Sequence, residues 1–284
     1  MVEADKVEVV KSVVGDFLEV PEEVPSNGDM VGNAGAAVQP KAKVIPTPNE
    51  EIPVGGRLTH FRQNWLFSPW AHSIVSKGLG WAWVTTPPKL QPFYQKPTPF
   101  LKEYVRELLS KNVIKRTKSI KFQGRLFCVP KRNSDKKRVI LDLSRINPYI
   151  QCDRFQMLTV SQIRTLLPRG AVTISIDLTD AYWHIPIAHR FVSFLGFRLM
   201  KKAYAFKAMP FGLNIAPRIF TKLADSVVQQ LRIQGIQVAA YLDDWIIWAQ
   251  TQEDCLQSAR KVMKFLQELG FQINLKKSRL QPAS

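Results

Sequence analysis

The sequence predicts an α+β fold in which an antiparallel sheet is backed by helices. Three observations predict it. Residues 238–249 place Asp243 and Asp244 between two runs of β-branched, aromatic and small apolar residues, the pattern of a hairpin. Ile219, Leu223, Val227 and Leu231 recur every fourth residue, as on one face of a long helix. The predicted order, strand–helix–strand–hairpin–helix–hairpin–helix–strand, lacks the regular βαβ alternation of a parallel sheet.

The chain has 284 residues and a formal charge of +17, unevenly placed. Residues 1–55 hold ten acidic and four basic side chains, a net of −6, so the remainder carries +23. A body that basic points to a polyanionic partner, most simply nucleic acid. Cys128, Cys152 and Cys255 form no Cys-x-x-Cys pair and no even framework, which favours a reducing compartment over a zinc site or disulfides. No apolar run reaches membrane-spanning length, and the acidic start does not resemble a signal peptide. An intracellular protein of the cytoplasm or nucleus, without a membrane partner, is expected.

Residues 1–54 mix Glu, Asp, Gly and Pro and bury too little apolar surface to offset chain entropy, so a disordered acidic arm is predicted. Residues 55–97 form a Trp/Pro-rich extension. Its tryptophans 65, 70, 81 and 83 suit packing on a larger body better than nucleobase stacking, and residues 85–97 suit extended chain. Residues 98–284 hold the main domain. Thr98-Pro99 opens a helix with stripe Leu101, Val105 and Leu108, ended by Lys111-Asn112. Residues 113–115, 126–129 and 138–143 suit strands, the last two separated by a cationic turn over 130–137. Thr159 and Gln162 form a capping box for a helix to Leu167. Residues 171–176 are a buried strand running into Asp177. Residues 191–199 and 203–208 suggest a hairpin, and 212–234 a long helix. Thr251, with Asp254, caps a helix that Gly270 stops, and Phe271, Ile273 and Leu275 alternate as a last strand.

An Asp-Asp pair is most often an ordinary turn, because aspartate hydrogen-bonds its own backbone there. Phosphoryl transfer to a hydroxyl, however, calls for two hard divalent ions about 3.5–4 Å apart, held by carboxylates. Asp177, at the end of an apolar strand, suits joining Asp243 and Asp244 across 66 residues of sequence and equally suits beginning an ordinary loop.

Five segments then carry a resemblance. Tyr241-Leu-Asp-Asp244 resembles the central motif of reverse transcriptases, and Ile176-Asp-Leu-Thr-Asp-Ala-Tyr-Trp-His-Ile-Pro-Ile187 their first catalytic motif. The stretch from Met209 to Phe220 resembles the motif that meets template and nucleotide. Arg138 to Asn147, preceded by Lys131, resembles the fingers hairpin, and Leu269 to Ser278 the segment after the central hairpin. Phe211 stands where retroviral enzymes carry glutamine. Gypsy-type and DIRS-type retrotransposons share that feature, while Gly55-Gly-Arg-Leu58 with its Trp-rich follow-on and Tyr241-Leu-Asp-Asp-Trp245 are most similar to DIRS-type elements and next to gypsy-type ones.

The resemblance implies a right-hand polymerase of fingers and palm, with the thumb absent and the chain truncated before the primer grip. It implies an RNA-directed DNA polymerase that adds dNTPs to a DNA primer on an RNA or DNA template. It implies Asp177, Asp243 and Asp244 as ligands of two Mg2+ ions (Mn2+ as substitute), with the Leu178 carbonyl as a further ligand. Lys131 and Arg138 correspond to cations on the triphosphate, and twelve basic against two acidic residues between Lys111 and Arg145 agree with that, as a solvated basic loop also would. Asp180, Ala181 and Tyr182 correspond to the sugar pocket, where an aromatic ring excludes a 2′-hydroxyl, although Tyr182 suits a core equally well. Phe211 and Gly212 correspond to contacts with the nascent pair. Lys277 corresponds to a lysine near the leaving pyrophosphate, or is one surface lysine among several. Ser144 replaces a common arginine, which leaves one fingers contact open. His184 and His189 have no metal-binding spacing.

RNase H and recombinase domains are the polyprotein neighbours such an element implies. The competing reading is a catalytically incompetent truncated remnant that only binds nucleic acid. Tyr182 and the Tyr-Leu-Asp-Asp form argue against an RNA-making polymerase.

Overall fold

Local chemistry sets the helix boundaries. The computed structural model describes residues 52–87, 95–131 and 134–283. Most of the acidic arm, residues 88–94 of the proline-rich stretch and residues 132 and 133 of the cationic turn lie outside them. Helices α1 (Pro69–Lys77) and α2 (Pro99–Ser110) each start on a proline, which lacks the N–H that an N-terminal turn would leave unused. The Ser68 and Thr98 hydroxyls accept from Ala71 N–H (3.3 Å) and Leu101 N–H (3.2 Å). Asn112, at φ 60, ends α2 as expected. Thr159 and Gln162 form the capping box of α3 (Val160–Leu166). A single turn, α4 (His189–Val192), precedes the two long helices α5 (Ala216–Ile233) and α6 (Gln252–Glu268). Thr251 caps α6 by accepting from Asp254 N–H (3.1 Å), and Gly270 at φ 98 follows its end.

The strands form two sheets. The first has the order β1-β6-β5-β2-β3, from β1 (Ile114–Arg116), β2 (Gln123–Lys131), β3 (Ser134–Asp142), β5 (Gly196–Leu199) and β6 (Lys202–Phe206). Its β2–β5 pairing is parallel and the others antiparallel. The second, of order β7-β8-β4-β9, is antiparallel throughout and comprises β4 (Val172–Asp177), β7 (Val238–Tyr241), β8 (Asp244–Ala249) and β9 (Arg279–Ala283). Helix α5 packs on β7, and α6 on β8, β4 and β9. The apolar stripe of α5 is buried as its four-residue spacing predicts: Leu223, Val227 and Leu231 have no exposed surface. This is the α+β fold that the order of elements called for.

Four local expectations need correction. The alternation Phe271, Ile273, Leu275 is not a strand; only Ile273 makes an isolated bridge, to Leu178. Asn274 O accepts from the N–H groups of Lys277 and Ser278, which turns the chain, and the last strand is Arg279–Ala283. Phe191 lies in α4, so the first hairpin starts only at Gly196 and turns through Met200 and Lys201, both at positive φ. Strands β2 and β3 run into the cationic turn, pairing Pro130 with Lys137 and Lys131 with Ser134. Helix α5 begins at Ala216 rather than Gly212. Gly212 sits at φ 103, where a side chain would collide with Leu141 O.

Trp65 is fully buried and Trp81 nearly so, packed into the body as expected. Among the described residues, no helix is long and apolar enough to cross a membrane.

Candidate active site

Antiparallel register brings the predicted carboxylates together. Strand β4 buries Ile174 and Ile176 and ends on Asp177, whose side chain is buried. Pairing of β4 with β8 sets Asp177 directly opposite Asp244. Pairing of β7 with β8 sets Tyr241 opposite Asp244, so Leu242 and Asp243 form the two-residue turn. Leu242 adopts φ 53, the left-handed conformation that such a tight turn demands. Asp243 O accepts from Leu178 N–H (3.0 Å), tying this turn to the residue after Asp177.

The stretch after α6 holds Asp177 from the other side. Asp177 N–H donates to Ser278 Oγ (3.0 Å), and Asp177 O accepts from Asn274 N–H (2.8 Å). The largely exposed Lys277 ammonium stands 3.8 Å from Asp177 Oδ1. Like charges directly opposite on neighbouring strands repel unless a cation lies between them. The donor set is therefore suited to a hard divalent cation: two carboxylates on directly opposed residues of a strand pair, each with a buried oxygen. Among the described residues no three Asp, Glu, His or Cys side chains close on a single point, so the carboxylates share a register rather than a finished cage.

Beyond the carboxylates lies an aromatic surface. Asp180, at φ 49, turns the chain into a 3-10 helix, Ala181–His184, which buries Ala181 and Tyr182. Tyr182 stacks on Phe211 (4.9 Å between centroids, planes at 26°) and tilts against Phe220 (5.5 Å). Arg138, opposite Val129 in the β2–β3 hairpin, places its guanidinium carbon 5.7 Å from the Phe211 centroid. Arg138, Phe211 and Tyr182 thus form a line from one sheet to the end of the other. Phe211 and Gly212 are held by Asn147, whose Nδ2 donates to Gly212 O (2.8 Å). Its Oδ1 and main-chain O accept from Asn214 N–H (3.2 Å) and Nδ2 (3.0 Å).

The structure gathers Asp177, Leu178, Asp243, Asp244 and Lys277 in one cluster, and Ala181, Tyr182, Phe211, Gly212 and Arg138 in the adjoining one. Lys131 ends β2, but its side chain lies outside the described set. The Asp180 carboxylate is 2.8 Å from Lys111 Nζ, which also meets Glu107 (2.8 Å). Burial opposes the Lys111 charge, yet the two carboxylates outweigh it and raise its pKa. At the departure from the common arginine, Ser144 Oγ donates to Asp142 Oδ1 (2.6 Å), while Arg125 approaches Asp142 Oδ2 (3.9 Å) from the facing strand.

Sequence reasoning placed Asn147 and His184 within motifs and Lys111 at the start of the basic stretch, but gave none of the three a role at the site. Their partners lie far along the chain, and no local spacing signals them. His184 is fully buried, and its Nε2 accepts from Gln272 N–H (3.0 Å). That acceptor role fixes the neutral tautomer, with Nδ1–H donating to Ala181 O (3.2 Å). Burial first, then the Arg57 charge, lowers its pKa to about 3.

A family model described as reverse transcriptase (RNA-dependent DNA polymerase) matches residues 129–283, more than half of the chain. Protein P of heron hepatitis B virus is 27% identical over 167 residues, 57% of this chain and 21% of that protein. The retrovirus-related Pol polyprotein from transposon opus of Drosophila melanogaster is 25% identical over 198 residues, 66% of this chain and 19% of that protein. The chain spans about a fifth of the length of these curated relatives. Among solved structures, a foamy viral protease-reverse transcriptase in complex with dsDNA superposes with a TM-score of 0.62 at 26% identity, covering 69% of this chain and 34% of that one. The foamy viral enzyme in complex with an RNA/DNA hybrid gives 0.60 at 28% identity, covering 69% and 26%.

Proposed function

Since the chain belongs to the reverse transcriptase family, we propose that it carries the RNA-directed DNA polymerase module of a retrotransposon, adding deoxynucleotides to a primer 3′-hydroxyl. The observation that carries this reading is the register that opposes Asp177 to Asp244 beside the stacked Tyr182 and Phe211. In it, Asp177, Asp243 and Asp244 hold two Mg2+ ions, with the Leu178 carbonyl as a further ligand and Mn2+ as a substitute. When bound, the ions neutralise charge on the transferring phosphate and make the primer hydroxyl more acidic.

The chain's own residues position the reactants. Lys131 and Arg138 hold the incoming triphosphate, Arg138 being steadied over Phe211. Tyr182 lies under the sugar and leaves no room for a 2′-hydroxyl. Lys111 fixes Asp180, and with it the turn that presents Ala181 and Tyr182. Phe211 and Gly212 pack on the nascent base pair, with van der Waals contact from Phe211. Lys277, whose ammonium approaches Asp177, meets the leaving pyrophosphate.

An RNA template and a DNA primer are supported as partners by the dsDNA and RNA/DNA hybrid complexes of the foamy viral enzyme. Similarity to the transposon opus polyprotein supports a retrotransposon origin, and Gly55-Gly-Arg-Leu58 with Tyr241-Leu-Asp-Asp-Trp245 favours a DIRS-type over a gypsy-type element. RNase H and recombinase domains are the polyprotein neighbours of that reading. The three free cysteines suit the cytoplasm or nucleus.

The test is incorporation of each dNTP on a primed RNA template of known sequence. Template-complementary incorporation that stops on chelation of divalent ions supports the reading. Tight template binding with no incorporation in Mg2+ or Mn2+ would instead favour a protein that only binds nucleic acid.

A further inference from the structure

The last carbonyls of an α-helix have no partner within the helix and must find one elsewhere. At the end of α6 the partners come from about 200 residues away in sequence. Asn64 Nδ2 donates to Glu268 O (2.6 Å), Trp65 Nε1 to Leu269 O (3.0 Å) and Arg57 Nε to Gly270 O (2.8 Å). All three donors lie on one 3-10 helix, Arg57–Trp65. Just before it, Gly55 N–H donates to Lys111 O (2.9 Å) and Gly56 N–H to Trp183 O (2.8 Å). The segment therefore spans from the ends of α2 and the Ala181–His184 turn to the end of α6.

Arg57 is the charged donor of the three. It is only 3% exposed, its Nη1 donates to Ile52 O, and its guanidinium lies 5.2 Å from the Phe61 ring centroid. Burying a guanidinium costs several kcal/mol, roughly, unless its N–H groups are satisfied, so its place beside Gly270 is tightly specified.

Gly270 begins the stretch that reaches Asp177. Gln272 N–H donates to His184 Nε2, and Gln272 O accepts from Thr179 N–H (2.8 Å). Ile273 bridges Leu178, and Asn274, Lys277 and Ser278 contact Asp177 as described above. Within four residues of Gly270 this stretch therefore reaches Thr179, Leu178 and the main-chain oxygen of Asp177.

We propose that Arg57 is a positioning residue for the Asp177 metal site: by holding Gly270 it sets the strap 271–278 that orients Asp177 and Lys277. The inference rests on the reading of Asp177 as a metal ligand. The N-terminal extension is then part of the active-site scaffold as well as a cover for the core.

The test is Mn2+ binding by the full chain, read as loss of the free-ion electron paramagnetic resonance signal, beside thermal denaturation. Arg57→Met keeps the buried stem and removes the donors, and Arg57→Lys keeps the charge and a single donor group. Removing a group that orients a ligand is expected to weaken Mn2+ binding about tenfold in Arg57→Met, with partial recovery in Arg57→Lys. Val228→Ala, a core truncation on α5 remote from the strap, is expected to lower the melting temperature and leave Mn2+ affinity unchanged. Should Arg57→Met not fold, Arg57→Lys alone carries the test, with an expected loss of about threefold. Affinity within about twofold of wild type in the folded Arg57 variants, while Asp177→Asn loses binding, would overturn the proposal and leave the metal site standing. Asp177→Asn that binds Mn2+ as wild type does would overturn the metal-site reading, and the role of Arg57 with it.

Discussion

Phe211 lies stacked on Tyr182, with ring centroids 4.9 Å apart and planes inclined by 26°. The two residues reach this contact from different elements, Tyr182 from the turn after β4 and Phe211 from the turn before α5. The stack joins the carboxylate-bearing strand end to the Arg138 side of the β2–β3 hairpin.

Tyr182 packs against both Phe211 and Phe220, which holds its ring in place for the proposed sugar-gate role. Tyr182→Val keeps a short apolar stump against both rings and removes the obstruction. Its preference for dNTP over rNTP is expected to fall by about tenfold or more, measured as the ratio of kcat/KM values. An unchanged ratio in the folded variant would remove the sugar-gate role.

Gly212 is required by backbone geometry. It holds φ 103, and a Cβ would strike Leu141 O, a backbone atom of a paired strand that has no room to give. Gly212→Ala is expected to cost about 2 kcal/mol or more in stability, by denaturant titration, and to raise KM for dNTP. Wild-type stability would mean that the turn relaxes freely and does not fix Phe211.

The buried His184 gives a pH signature. Its folded pKa is depressed to about 3 from an ordinary 6.5, so between those values the unfolded chain binds the extra proton. Stability from this group is full above pH 6.5 and is lost as pH falls, by up to about 1.4 kcal/mol for each pH unit in that window. Thermal denaturation between pH 7.5 and 4.5 should show a shallower slope in His184→Gln than in the wild type. Equal slopes would show that His184 is not held neutral.

The legible parts of this structure were those encoded locally. The helix caps at Thr98, Thr159 and Thr251 act through neighbours three residues away, and the stripe of α5 follows from helix geometry alone. The pairing of Asp177 with Asp244 was readable because each sits at the end of an apolar strand run. The residues after Gly270 misled because Phe271, Ile273 and Leu275 alternate like a strand. What decides their path is long-range bonding: Asn274 to Asp177, Gln272 to His184 and Gly270 to Arg57. The bonds of Asn147 to the Gly212–Asn214 turn and of Lys111 to Asp180 also join residues 65 to 69 apart, and neither leaves a local pattern.

In the proposed function, the register of β4 and β8 builds a metal site for nucleotidyl transfer. Asp243→Asn tests it most directly, because asparagine is at home in the same two-residue turn and removes only the charge. The measurement is the rate of Mg2+-dependent extension of a primed RNA template, with circular dichroism confirming the fold. The expected result is a loss of at least about a hundredfold with the melting temperature unchanged. Extension at the wild-type rate by the folded variant would contradict it.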